Sequence, residues 1–194
     1  MTLYSIYPDD QYRIPGFDDA QIRKVFGDDI HQQFNVNYNP IPYSKNWQVL
    51  DVNFDDDQSG LEGSLIPDIS IHYGRIYLSL AAYGTLKDIL SQDGEFLPVR
   101  VNGADAYFFN PLMKAEDVDG LDKKRSIKNE WGEIENIAFH ADRVSKFTIF
   151  KSKFDYYSNA YCQETVKNIV ENKGLKGVFF THDLGNPFGA DIKQ

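Results

Sequence analysis

Two apolar runs, Glu95-Phe-Leu-Pro-Val-Arg-Val101 and Ala106-Tyr-Phe-Phe109, stand on either side of an Asn102-Gly103 pair. An Asn-Gly step tolerates the positive φ values that tight hairpin turns demand, so the chain is committed to reversing direction here. Strands are therefore expected over 95–101 and 106–109. A hairpin alone is marginal in water and needs further strands or a helix on its apolar face. Pro98 has no backbone donor, which predicts an edge strand or a bulge at that point.

The flanking sequence supplies what the hairpin needs. Residues 75–78 suit a short strand, and 79–90 read as a helix capped by Ser79. Ala82, Tyr83, Leu86, Ile89 and Leu90 fall at helical spacing on one side of it. Gly84 inside that helix costs about 1 kcal/mol relative to Ala. Segments 131–139 and 147–150 suggest more antiparallel strands. A helix over 158–173 would place Cys162, Val166, Ile169 and Val170 inward and stop at Gly174, ahead of a last strand over 176–181. The first third is less regular. It offers a strand over 3–7, a helix over 18–26 capped by Asp18 or Asp19 with Ile22, Val25 and Phe26 as its stripe, and a strand over 47–54. Pro40 and Pro42 interrupt the chain between these last two. Hairpins in succession with two or three helices predict an α+β fold. The sheet should be mainly antiparallel, in a single domain with an irregular acidic N-terminal part, residues 1–64, packed on an orderly 65–194.

Charge separates the same two parts. The net charge is −9, and residues 1–72 hold 12 Asp/Glu against 4 Lys/Arg, whereas 73–194 hold 17 against 16. Such an acidic surface repels nucleic acid and attracts basic partners. It also aids solubility, and that alone would account for it. The single Cys162 permits no internal disulfide, and the four histidines, His31, His72, His140 and His182, are isolated in sequence. No apolar run approaches a membrane span, and the start of the chain lacks the pattern of a signal peptide, so a cytoplasmic protein is expected.

The candidates for chemistry are weak. Asp55-Asp-Asp-Gln-Ser-Gly60 resembles the start of a calcium loop, but Ile66 stands where the bidentate Glu belongs. Cys162 falls on an apolar stripe, which suits a core residue better than a nucleophile. Glu133 and Glu135 would share one face of a strand, as an acid and base could, but solvent-facing positions explain them. Lys123-Lys-Arg125 is hemmed in by Asp117, Asp119 and Asp122, against nucleic-acid binding. No nucleophile elbow, phosphate loop or zinc-protease helix is present. No catalytic residue, metal or cofactor is therefore expected.

A series of segments carries a family resemblance. Leu65-Ile-Pro-Asp-Ile69 and Arg75-Ile-Tyr-Leu78 are followed by Gly94-Glu-Phe-Leu-Pro-Val99 and Tyr107-Phe-Phe-Asn-Pro111. Asp117-Val-Asp-Gly-Leu-Asp122 with Ser126, Phe150-Lys151 and Gly174-Leu-Lys-Gly-Val-Phe-Phe180 complete it. In order and spacing these resemble immunity family eleven of bacterial polymorphic toxin systems, over about residues 65–181. The resemblance implies a protein that binds a cognate toxin domain and blocks it stoichiometrically, without turnover. It supplies no catalytic set. The toxin expected is basic, nucleases being one such class, and neither nucleic acid nor membrane is an expected partner. The acidic residues Asp28, Asp29, Asp55, Asp56, Asp57 and Glu62 are the candidate toxin interface. An adaptor module with another partner, or an enzyme whose site the sequence hides, remain the alternatives.

Overall fold

The structure, a computed structural model, describes residues 2–54 and 65–185. In chain order the strands and helices are β1 (Leu3–Pro8), β2 (Gly16–Phe17), α1 (Asp19–Phe26), β3 (Leu50–Asn53), β4 (Ile69–His72), β5 (Arg75–Ser79) and α2 (Leu80–Leu90). There follow β6 (Gly94–Val101), β7 (Ala104–Pro111), β8 (Ile127–Lys128), β9 (Ile134–Asn136) and α3 (Ala141–Val144). The last four are β10 (Ile149–Phe150), β11 (Tyr161–Gln163), α4 (Glu164–Asn172) and β12 (Val178–Thr181).

The hairpin organises the larger sheet. β6 and β7 pair in unbroken register from Gly94↔Pro111 to Val101↔Ala104. Asn102 and Gly103 turn the chain with φ of 50° and 82°, the all-positive turn that matches strand twist. Six strands line up as β2-β3-β6-β7-β5-β4, and a second sheet runs β10-β11-β1-β12. Pairing is antiparallel except between β3 and β6, which meet in parallel through Leu50↔Val99 and Asp51↔Arg100. The fold is α+β, with mainly antiparallel sheets, as expected.

Alternation along the strands divides the interior. Tyr107 and Phe109 of β7 face one core, where Ala82, Leu86 and Leu90 of α2 meet Val166 and Val170 of α4 and Cys162 of β11. Ala106 and Phe108 face the other way, into a core built with Phe17, Ile22, Phe34, Tyr43, Leu50 and Val52 from the N-terminal third. A third cluster joins Leu3, Ile137, Phe139, Val144, Phe150 and Tyr161. The N-terminal residues thus cover one face of the six-stranded sheet, while β1 runs inside the other sheet, between β11 and β12.

Several elements differ from the sequence expectations. Cys162 lies in a strand and not on a helix, because Tyr161 and Cys162 pair with β1 on one side and β10 on the other. The helix begins at Glu164, where that pairing ends. The strand expected over 131–139 shrinks to β9, since Trp131 and Gly132 belong to a turn closed by Asn129. Over 147–150 only β10 pairs. β6 is not an edge: Pro98 lies one residue before β3 begins to pair, and its carbonyl there accepts the Trp47 indole N–H at 2.8 Å. α1 and α2 form with the expected caps, Asp18 accepting from the Gln21 N–H at 2.9 Å and Ser79 from the Ala82 N–H at 3.2 Å.

Candidate functional site

Two cations lie wholly inside the protein. Arg75 opens β5 and Lys151 follows β10, and both are 0% exposed. Burying a charge is costly unless its donors are satisfied. Here the acceptors are main-chain carbonyls of one irregular segment, residues 27–43. The Arg75 guanidinium donates to the Phe34 carbonyl at 2.8 Å and to the Asn37 carbonyl at 2.5 Å. It also stacks over the Phe34 ring at 4.1 Å from the centroid. The Lys151 ammonium donates to the Tyr38 carbonyl at 2.7 Å. Among the described residues neither cation forms an ion pair with a carboxylate. Burial lowers the Arg75 pKa to about 10, and burial and the nearby Arg75 push Lys151 well below the ordinary lysine value.

The turn between β4 and β5 passes directly against Lys151. A Cβ on Gly74 would lie 2.5 Å from the Tyr157 carbonyl oxygen and 2.6 Å from the Lys151 Cε, so only glycine fits. Tyr73 beside it, and Tyr156 and Tyr157 opposite, all have left-handed φ, 51°, 58° and 62°. Bulky residues in that region are unusual and gather where the surrounding structure over-determines them, often at functional sites. Tyr73 packs on Tyr38 at 4.8 Å and on His72 at 4.3 Å between ring centroids. Burial and Arg75 lower the His72 pKa to about 4, so the ring is neutral at physiological pH.

The segment 27–43 is pinned along its inner side. Gln33 Nε2 donates to the Gly27 carbonyl at 2.8 Å, and Asn110 Nδ2 to the Ile41 carbonyl at 2.8 Å. The Glu95 carboxylate accepts the Tyr43 N–H at 2.6 Å and the Ser44 N–H at 3.0 Å. Its outer side carries Asp28, Asp29, Ile30, His31, Gln32 and Val36, all exposed, Ile30 by 60%. The result is an acidic and partly apolar surface on a backbone fixed from below. Such a surface can dock a partner at little ordering cost.

Of the sequence candidates, Asp28 and Asp29 stand at the start of this segment. Asp28 is 3.8 Å from Arg23, and Asp29 accepts the His31 N–H at 2.9 Å. Asp55, Asp56, Asp57 and Glu62 lie outside the described residues. Cys162 is buried, and burial pushes its thiol far up, away from the thiolate a nucleophile needs. Glu133 and Glu135 are exposed, and Glu133 accepts from Asn129 Nδ2 at 2.7 Å in a turn. Among the described residues no three His, Cys, Asp or Glu side chains are grouped to hold a metal. No helix among them is long and apolar enough to cross a membrane. Arg75 and Lys151 were not legible as site residues. Each ends an apolar run, Arg75-Ile-Tyr-Leu78 and Ile149-Phe-Lys151, where a charge ordinarily marks a solvated strand end. Neither a protein-family model nor a curated protein matches the chain.

Proposed function

We propose that this chain is an immunity protein that binds a cognate bacterial toxin domain in the cytoplasm and blocks it without turnover. The observation that carries the reading is the segment 27–43. Its backbone is fixed by Arg75 and Lys151, and its outer side offers Asp28, Asp29, Ile30 and Val36 to a partner. The resemblance over residues 65–181 to immunity family eleven supplies the kind of partner. A basic toxin groove, such as that of a nuclease, is complementary to such a surface, and exposed charges act mainly through association rate. An adaptor module would use the same surface on an unrelated protein.

Growth rescue separates the two. Cytoplasmic expression of this chain should restore growth to cells producing the toxin encoded beside it, and purified toxin should be inhibited at a one-to-one ratio. Absence of rescue and of binding removes the immunity reading. Replacing Asp28, Asp29, Asp55, Asp56, Asp57 and Glu62 by their amides should slow association and flatten its salt dependence.

A further inference from the structure

The chain has two tryptophans, and they are placed in opposite ways. Trp47 donates its indole N–H to the Pro98 carbonyl at 2.8 Å and packs on Phe34 at 4.9 Å between centroids. Trp131 is 77% exposed, more than any other large apolar side chain among the described residues. A tryptophan buries about 200 Å² when it finds a partner, and tryptophan is among the residues most enriched at the hot spots of interfaces.

The turn that carries Trp131 is firmly built. The Asn129 side-chain oxygen accepts the Trp131 N–H at 3.0 Å and the Glu133 N–H at 2.9 Å. The Asn129 amide group donates to the Glu133 carboxylate at 2.7 Å, the Asn129 N–H to the Glu133 carbonyl at 2.9 Å, and the Gly132 N–H to the Asn129 carbonyl at 3.0 Å. The β8–β9 ribbon below it is held at its base. Lys128 Nζ lies 4.2 Å from the Tyr156 ring centre and 4.9 Å from that of Phe154. Ile134 packs on the third core. The indole is therefore presented on an ordered turn. Glu130, Glu133 and Glu135 surround it in sequence, all exposed, with no basic residue between 129 and 136.

We infer that Trp131 is an anchor for a protein partner, seating in an apolar pocket of that partner edged by lysine or arginine. Rigid aromatic anchors in pockets carry a large share of interface energy. The three carboxylates select a basic rim, and they disfavour an anionic lipid surface as the occupant. This inference rests on the immunity reading for the identity of the partner, the toxin domain, and adds the pocket that the toxin must have.

The test uses the full chain and the purified toxin domain. Trp131→Ala should weaken binding about 30-fold or more, the size of a 2 kcal/mol anchor. Asn129→Ala keeps the indole but frees the turn, and should weaken binding by a smaller factor. Glu130→Gln with Glu133→Gln and Glu135→Gln should slow association at low salt and converge on the parent at high salt. Trp131 is 77% exposed, so Trp131→Ala should keep the parent's unfolding midpoint, which places the loss at the interface. If the toxin binds the parent and Trp131→Ala alike, the anchor is wrong and the immunity reading stands. If the toxin does not bind the parent, both fall. Trp131-dependent adsorption of the chain to phosphatidylcholine or phosphatidylglycerol vesicles, without loss of toxin affinity in Trp131→Ala, also overturns the anchor.

Discussion

The segment 27–43 and the β6–β7 hairpin lie against the same core, yet their backbones are held by different means. In the hairpin each strand satisfies the other through eight paired positions, and the alternating side chains Leu97, Val99, Ala106 and Phe108 fill the core. Among the described residues segment 27–43 pairs with no strand. Its own short turns and Asn37 take some of its carbonyls, Arg75, Lys151, Asn110 and Gln33 take others, and Glu95 accepts the amides of Tyr43 and Ser44. A ladder depends on local pattern and tolerates many sequences. A carbonyl held by a buried cation depends on one side chain from far along the chain. The second arrangement can fix a surface of arbitrary shape, which suits a binding segment, but it concentrates the risk in a few residues.

The sharpest way to separate the two is to remove one support from each. Phe108→Ala empties a fully buried site on the hairpin and should cost about 3–5 kcal/mol. Because Phe108 touches Phe17, Phe34 and Tyr77, amide protection should fall over hairpin and segment together. Arg75→Met keeps the bulk but leaves the Phe34 and Asn37 carbonyls without their donor, a cost of about 3 kcal/mol. Its loss of protection should concentrate in residues 27–43, since local openings follow the contacts removed. Equal loss over both regions in hydrogen exchange on Arg75→Met would show that the segment is not separately held.

The contrast also explains what was legible in the sequence. The hairpin, α1, α2 and their caps follow from residues adjacent in the chain: Asn102-Gly103, Asp18 and Ser79. The parallel partner of β6 does not, because Leu50 and Val99 meet only once the N-terminal third folds across the sheet. Cys162 misled for a related reason. An apolar residue buried between two strands carries no helical or alternating signature of its own, and it fell in phase with the α4 stripe. At the site, Asp28 and Asp29 were visible as charge. The cations that organise the segment behind them were not, since no local pattern distinguishes a buried Arg75 from a solvated one.

Acid should weaken the segment through His72, at a smaller cost. His72 is paired with Arg75 across the β4–β5 turn and lies against Phe17, Tyr73 and Phe108. Its pKa is about 4 when folded, against 6.5 for an unperturbed ring. The unfolded chain therefore takes up the proton first, and stability declines as pH falls from about 6.5 to about 4, then levels off. The loss should be about 2 kcal/mol, allowing for the solvent that reaches the partly buried ring. Asp93 and Asp155, whose pKa values burial raises, change stability in the opposite direction as they protonate. The difference between the parent and His72→Gln in urea unfolding at pH 7 and pH 4.5 isolates the histidine. A His72→Gln variant that keeps the full pH dependence would assign it elsewhere.

The smallest effect on stability is expected at the outer side of the segment. Asp28→Asn with Asp29→Asn removes two exposed charges whose contacts are to neighbours close by in the chain, Arg23 and His31. The Arg23–Asp28 pair is 3.8 Å long between side chains that are largely exposed, and such pairs contribute little. Asparagine at position 29 still offers an oxygen to the His31 N–H, so the local turn is retained. The unfolding midpoint and the protection of residues 27–43 should match the parent, while toxin association slows several-fold at low ionic strength. At about 0.15 M salt the screening length is about 8 Å, so the difference should narrow as salt rises and vanish near 1 M. An unchanged association rate at every salt concentration would leave the acidity of this segment to solubility alone. A fall in protection would mean that the acids, and not only the buried cations, hold the segment.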